Sequence, residues 1–144
     1  MRELQVIVDG PVVGKGRPQF ARLGDGRVTT RTPTKTRNYE AVLRLAAQDA
    51  LKGRDRFEGP VSVKVNVWCD VPESWPGWKR RAALDGTVVP TTKPDADNVA
   101  KLVLDAFNGV VFRDDTQAIT VTIQKRYGAT ARLVVNVEPL PLLA

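Results

Sequence analysis

The chain has 144 residues and a formal net charge of +6, and it contains no histidine and a single cysteine, Cys69. The missing histidine excludes histidine general bases, Ser-His-Asp triads and histidine-metal sites, and one cysteine cannot form an internal disulfide. Any metal site must therefore be built from oxygen ligands, which favour hard cations such as Mg²⁺ or Mn²⁺.

The length suits a single compact domain covering residues 1–144, large enough to bury a core without disulfides. No apolar run approaches the ~18 residues that suggest a membrane span. The first residues, Met1–Gln5, lack the charged-then-apolar order of a signal peptide. We therefore expect a cytoplasmic protein with no membrane segment.

The first part of the chain combines a strand with a basic segment. Residues 3–9 alternate between apolar and polar, which predicts a strand. Residues 10–37 are rich in Gly, Pro, Thr and Arg, which predicts a long loop with a short strand at 27–31. Within 14–37, seven basic residues accompany one acid, so this stretch alone carries a charge of +6. Such a segment indicates a polyanionic partner, and a solvated charged loop is the equally weighted alternative.

The middle of the chain predicts one long helix and one well-marked strand. Apolar residues recur at the helical period over 35–52, and Gly53 ends the helix. Valine at every second position of 61–69 predicts a strand with one apolar face. Prolines interrupt residues 70–92, where a short basic helix fits 78–84.

Two further strands are predicted near the end of the chain. Residues 118–126 and 131–138 alternate, and the short connection between them contains a glycine, which predicts an antiparallel hairpin. Together the elements predict an α+β fold, a single small domain with a mixed sheet of about four strands and two or three helices.

Residues 98–108 are the most strongly marked helix. Asp97 or Asn98 is suited to the N-cap position, and Gly109 is suited to the position after the helix end. The apolar stripe expected to face the core has the spacing i, i+3, i+4, i+7. It consists of Val99, Leu102, Val103 and Ala106.

The other side of this helix carries a polar ridge. Asp97, Lys101 and Asp105 are four residues apart and span about 80° of arc. Asp95 lies two residues before Asp97, so an extended entry segment would point both carboxylates the same way. A further acidic pair, residues 114–115, needs only a turn to return to the start of the helix.

Gathered carboxylates repel by roughly 4 kcal/mol per pair at 4 Å and an effective dielectric near 20. They stay ionised only if a cation compensates them. Mg²⁺ accepts a few carboxylates together with water and phosphate oxygens, and it supports phosphodiester hydrolysis. In this interpretation Asp95, Asp97 and Asp115 converge on the metal, and Lys101 neutralises charge that develops on the phosphate.

Each feature also has a simpler explanation. Asp97 can serve only as an N-cap, and residues 114–115 can form only a turn. Asp97, Lys101 and Asp105 can form an exposed ion-pair ladder worth a few tenths of a kcal/mol. However, five aspartates fall within 21 residues of a basic protein, and this combination favours the metal site.

The motif also resembles a known family. The string Pro94-Asp95-x-Asp97-Asn98-x-x-Lys101-x-x-x-Asp105-Ala106-x-Asn108-Gly109, followed by Asp114-Asp115-x-Gln117, resembles that of the RusA family of Holliday junction resolvases. The segment Gly14-Lys15-Gly16-Arg17-Pro18 is similar to the basic segment of that family. The resemblance extends from about residue 6 to residue 137.

The resemblance implies a homodimeric enzyme, bacterial or phage-encoded, that acts in DNA recombination and repair. It implies that the enzyme binds four-way DNA junctions and makes paired symmetric nicks with Mg²⁺, which Mn²⁺ can replace. It places the metal ligands at Asp95, Asp97 and Asp115, and a catalytic lysine at Lys101. The supporting residues of the motif are Asp105, Asp114 and Asn98.

The basic segment is expected to contact phosphates that flank the cut. The residues expected to do so are Lys15, Arg17, Arg22, Arg27 and Arg31. Two alternatives stay open at this point. One is a less selective Mg²⁺-dependent nuclease on branched DNA, and the other is a basic DNA-binding module without catalytic activity.

Overall fold

The computed structural model of the protein describes residues 2–16, 19–22, 24–31 and 34–141. Its elements, in chain order, are β1 Leu4–Asp9, β2 Gln19–Arg22, β3 Val28–Arg31, α1 Thr34–Leu51, β4 Val61–Asp70, α2 Gly77–Leu84, α3 Ala96–Phe107, β5 Ala118–Gly128 and β6 Arg132–Pro139. A 3₁₀ turn at Asp115–Gln117 directly precedes β5. The elements form one mixed α+β domain, as the sequence predicts.

The main sheet has four strands in the order β1-β6-β4-β5. β6 is antiparallel to both of its neighbours, β1 and β4, whereas β4 and β5 are parallel. β4 and β6 therefore occupy the centre of the sheet. This position agrees with the exposed fraction of 0–2% for the four alternate valines of β4, Val61, Val63, Val65 and Val67.

The predicted hairpin between the last two strands is wrong, because β4 lies between β5 and β6. The connection of residues 129–131 passes over the end of β4. There the Asp70 carboxylate accepts a hydrogen bond from the Ala131 backbone N–H at 2.9 Å. A Cβ atom on Gly128 would lie 3.0 Å from a ring carbon of Trp68 on β4. The short connection is thus held by β4 itself and not by direct pairing of the strands that it joins.

The hydrophobic core lies between the sheet and two helices. α1 packs against β1 and α3, and α3 also contacts β5. The predicted stripe of α3 is confirmed, since its four residues have no exposed surface (Val99, Leu102, Val103 and Ala106). This burial determines the orientation of α3, and it leaves the polar side of the helix facing away from the core.

The ends of α3 differ in part from the prediction. The helix starts at Ala96, two residues earlier than expected, and Asp95 takes the N-cap position with extended backbone (φ −69°, ψ 143°). Asp97 lies in the first turn, where a carboxylate interacts favourably with the helix dipole. Gly109 follows the helix with φ +80°, a conformation that suits glycine, as predicted.

The remaining local predictions are largely confirmed. α1 and α2 lie where the sequence indicates a long helix and a short basic one. The basic segment contains the predicted strand, β3, and also β2, which pairs with it as an antiparallel ribbon. No helix among residues 2–16, 19–22, 24–31 and 34–141 has the length and apolar character required to cross a membrane.

Candidate active site

The polar side of α3 carries the predicted ridge. Asp97 and Lys101 are exposed, and Asp105 is half-buried. Asp95 and Asp97 do not share an extended segment as predicted, because the helix begins between them. The Asp95 carboxylate instead accepts a hydrogen bond of 3.3 Å from the side-chain amide of Asn98, one of the three supporting residues of the motif.

The ridge does not form the exposed ion-pair ladder. In the described part of the chain Lys101 makes no salt bridge, so its ammonium group faces solvent. Asp105 pairs with Lys15, whose Nζ lies 2.6 Å from Asp105 Oδ2 and 3.3 Å from Glu40 Oε1. The backbone carbonyl of Asp105 also accepts a hydrogen bond from Arg44 on α1.

Lys15 belongs to a strap, Gly14–Gly16, that crosses between α1 and α3. The Lys15 N–H donates to the Asn98 carbonyl at 2.9 Å, and the Gly16 N–H donates to the Thr36 hydroxyl at 3.0 Å. A Cβ atom on Gly14 would lie 3.0 Å from the Asn98 Cβ, so a larger residue here would require its neighbours to shift by a few tenths of an ångström. The strap therefore attaches the start of the basic segment to the acidic motif.

The second acidic element, Asp114-Asp115, lies at the start of the 3₁₀ turn, next to α3. It is held by Gln117, whose side-chain carbonyl accepts hydrogen bonds from the N–H groups of Arg113 and Asp114 at 2.8 and 3.0 Å. The Gln117 amide donates to the carbonyls of residues 57 and 59, both at 2.9 Å. Sequence reasoning includes Gln117 in the motif without giving it a role, and the four hydrogen bonds supply one.

Negative charges are close together at this element. The pKa of the Asp115 carboxyl is raised above its ordinary value, first by a hydrogen bond with the Asp114 side chain, then by partial loss of hydration. The charges of Asp114 and Asp105 raise this pKa further. Asp115 is therefore near the end of the ridge that carries Asp105, and a cation there would relieve the repulsion.

The donor chemistry of these residues fits a hard cation. Every candidate ligand is a carboxylate or amide oxygen, and Mg²⁺ commonly binds one or two protein carboxylates together with water and phosphate oxygens. Among the described residues, no three acidic side chains lie close enough together to hold one ion. The structure therefore does not bring Asp95, Asp97 and Asp115 together as one set of ligands, although the sequence predicts that they converge.

An open groove of about 650 Å³ lies beside Asp95. Its walls come from the strap, the start of α1 and the segment that enters α3. The charged residues that line it are Lys15, Lys35, Lys93 and Asp95. We call it the lysine groove. The sequence does not predict that Lys35 and Lys93 line one groove, because no local pattern relates two residues so far apart in the chain.

The other predicted DNA-binding residues are described less completely. Arg17 lies outside the described residues, and so do the side chains of Arg22 and Arg31. Arg27 is exposed and forms an ion pair with Asp25 two residues earlier. Of the two predicted DNA-binding residues whose side chains the structure describes, Lys15 and Arg27, Lys15 lies next to the acidic motif.

An acidic ridge beside a lysine-lined groove in a basic α+β domain is suited to a polyanionic substrate and a cation. The chain matches the family Endodeoxyribonuclease RusA over residues 9–138. It is also 32% identical over 137 residues to Uncharacterized protein YqaN of Bacillus subtilis (strain 168), a match that covers 94% of this chain and 95% of that protein. The chain therefore belongs to the RusA family of endodeoxyribonucleases, which are hydrolases that act on DNA.

Proposed function

We propose that the protein is a Mg²⁺-dependent, structure-selective endonuclease that resolves Holliday junctions by paired symmetric nicks. The observation that carries the proposal is that Asp95 of the acidic motif lines the same groove as three lysines. A phosphodiester strand in this groove would bring its phosphates to lysines of the groove walls and its scissile bond to the Asp95 carboxylate. Family membership over residues 9–138 supports DNA as the substrate.

In this proposal Asp95, Asp97 and Asp115 are the metal ligands, with Mn²⁺ as a substitute for Mg²⁺, and binding of the ion would draw together carboxylates that the structure holds apart. The bound ion would supply a Lewis acid toward phosphate oxygens and an activated water. Asn98 orients the Asp95 carboxylate through their 3.3 Å hydrogen bond. Asp105 and Asp114 support Asp115 by keeping its surroundings negative, which favours binding of a cation.

Lys101 is proposed to stabilise the transition state. It lies one helical turn from Asp97 on the polar side of α3, and it is exposed without a salt-bridge partner among the described residues. An unpaired ammonium group can approach a non-bridging phosphate oxygen as negative charge develops there. Removal of one donor that stabilises charge in the transition state typically costs roughly 10²–10³-fold in rate.

A homodimer completes the proposal. Two active sites related by a two-fold axis suit symmetric cuts in a junction that itself has two-fold symmetry. The molar mass in solution, measured by light scattering with and without junction DNA, tests this part. A mass of one chain in the junction complex would exclude paired nicking by a bound dimer.

The main experiment compares matched four-way, three-way and linear DNA in the presence of Mg²⁺. We expect cutting of the four-way junction, and we expect EDTA to abolish it. Single Asn substitutions of Asp95, Asp97 and Asp115 should abolish cutting and keep junction binding, because negative charge near the phosphates is removed. Asp49→Asn, on the exposed surface near the end of α1, is the control and should cut normally.

The outcomes distinguish the alternatives. Equal cutting of linear duplex would exclude junction selectivity and favour a less selective nuclease. Binding without any cutting, unaffected by Asp97→Asn, would favour a DNA-binding module without catalytic activity. Loss of junction binding in all three aspartate variants would contradict their assignment as catalytic residues.

A further inference from the structure

We propose that Lys35 and Lys93 bind phosphates of the cleaved strand in the lysine groove. Lys15, in contrast, does not bind DNA and instead positions Asp105. The proposal rests on the proposed function, because it assumes that the strand cut at the acidic motif lies in this groove. It assigns a DNA contact to Lys93, which lies outside the basic segment 14–37, and to Lys35, which lies within that segment but is not among the five residues expected to contact DNA. It removes Lys15 from those five.

The three lysines reach the groove from three different segments. Lys15 comes from the strap, Lys35 from the first turn of α1, and Lys93 from the segment that enters α3. Lys93 precedes Asp95 by two residues, so their Cα atoms are at most about 7 Å apart. A phosphate held by Lys93 would therefore neighbour the phosphate that reacts at the acidic motif, and Lys35 lies on a separate wall.

The charge of Lys15 is already compensated. Its ammonium group lies 2.6 Å from Asp105 Oδ2 and 3.3 Å from Glu40 Oε1, and its side chain is 28% exposed. The backbone of Lys15 is also held, through its hydrogen bond to the Asn98 carbonyl. To bind a phosphate, Lys15 would have to leave two carboxylates unpaired, one of them on the ridge of α3.

Lys35 and Lys93 have the opposite environment. Both are exposed, and neither forms a salt bridge with any acid in the described part of the chain. Two uncompensated ammonium groups that line one groove attract a chain of phosphates, and each contact made with DNA releases condensed counterions. The groove thus presents uncompensated positive charge to a DNA strand beside the motif.

The test measures how junction binding depends on salt. The parent carries Asp97→Asn, which stops cleavage, and binding to a fluorescent four-way junction is followed by anisotropy between low and moderate salt. We expect Lys35→Gln and Lys93→Gln each to reduce the slope of log K against log salt by about 0.7–0.9 per subunit, and the double variant by about 1.4–1.8. Arginine at either position should restore the slope.

Lys52→Gln is the matched control. Lys52 is exposed and lies at the opposite end of α1, 17 residues and about 25 Å from Lys35. Its slope should equal that of the parent, and Lys15→Gln should change the slope clearly less than either groove variant. The proposal would be overturned if the Lys35→Gln, Lys93→Gln double variant had the same slope of log K against log salt as Lys52→Gln. It would also be overturned if Lys15→Gln reduced this slope as much as Lys93→Gln does.

The same measurements separate this proposal from the proposed function. Suppose that the protein with Asp97 intact cuts no branched DNA, but Lys35→Gln and Lys93→Gln reduce the slope of log K against log salt. The groove then binds DNA, and the catalytic assignment fails. If the protein cuts four-way junctions but the groove variants keep their slope, the catalytic assignment stands and the groove assignment fails. Absence of junction binding in the parent would contradict both.

Discussion

Lys15 Nζ lies 2.6 Å from Asp105 Oδ2, and the ion pair joins two segments that are 90 residues apart in the chain. One segment is the start of the basic region, and the other is the helix of the acidic motif. Lys15, which the sequence predicts to bind DNA, therefore contributes to holding the acidic motif in place.

Lys15→Met should destabilise the protein by at most about 1 kcal/mol, because the ion pair is partly exposed and solvent screens it. The pKa of the Lys15 amine is raised above its ordinary value of 10.5, first by the hydrogen bond to Asp105 and then, against the effect of burial, by the charges of Asp105 and Glu40. Since the folded pKa exceeds the unfolded one, the contribution is complete below about pH 10 and is lost as the pH rises through the folded pKa.

Urea unfolding of both proteins at several pH values measures this contribution. The difference in the free energy of unfolding between wild type and Lys15→Met should stay constant at neutral pH and decrease above pH 10.5. A difference that grows with alkaline pH would contradict the ion pair as its source.

Gly14→Ala should destabilise the protein by about 1–3 kcal/mol, the usual effect of overfilling a packed contact. The added Cβ atom would lie 3.0 Å from the Asn98 Cβ and 3.4 Å from the Pro94 Cβ, which forces the strap away from α3. Gly24→Ala is the control, because a Cβ atom there meets nothing within 4 Å. Thermal unfolding that shows equal stability of the two variants would mean that the strap moves freely.

Gln117→Leu should cost about 1–3 kcal/mol, since four hydrogen bonds to backbone groups are lost and some of those groups regain water. It should also slow cleavage, because residues 114–115 lose their support. Gln48→Leu, on the exposed side of α1, is the control for the change in polarity. If urea unfolding and single-turnover cleavage are unchanged in Gln117→Leu, the turn is held by other contacts.

Lys101→Ala should reduce single-turnover cleavage by roughly 10²–10³-fold while it weakens junction binding far less. Cleavage should be affected more than binding because Lys101 is proposed to stabilise negative charge that develops only as the phosphate reacts. Lys52→Ala should change neither quantity. An unchanged cleavage rate in Lys101→Ala would remove this lysine from the mechanism.

Much of the fold follows from local periodicity. The alternating valines of β4 and the buried stripe of α3 indicate their elements and their inward faces, and the structure confirms both. The order of the strands is a different matter, because a short connection such as residues 129–131 is compatible with a hairpin. The observed order places Ala131 against Asp70 and Gly128 against Trp68, two residues of β4 that lie more than 50 residues earlier in the chain, and the local pattern does not encode these contacts.

In the candidate site, too, some features follow from local periodicity and others depend on contacts between distant segments. The ridge of Asp97, Lys101 and Asp105 follows from helical spacing alone, and the structure places all three on α3. The boundary of the helix is two residues off, because Asp95, Asp97 and Asn98 are all acceptable near a helix start. The pairing of Lys15 with Asp105 and the placement of Lys35 and Lys93 around one groove depend on packing between distant segments, which no local pattern encodes.

The position of β6 between β1 and β4 affects how the protein is made. β1 is the first strand of the chain, and its partner in the sheet is the last one, with Leu4 opposite Val137. During synthesis on the ribosome, β1 therefore has no partner strand until nearly the whole domain has been made. Residues 93–117 have been synthesised by then. Pairing across such a large sequence separation is slow to form, so the sheet that supports α3 is completed only after synthesis of the nuclease motif has finished.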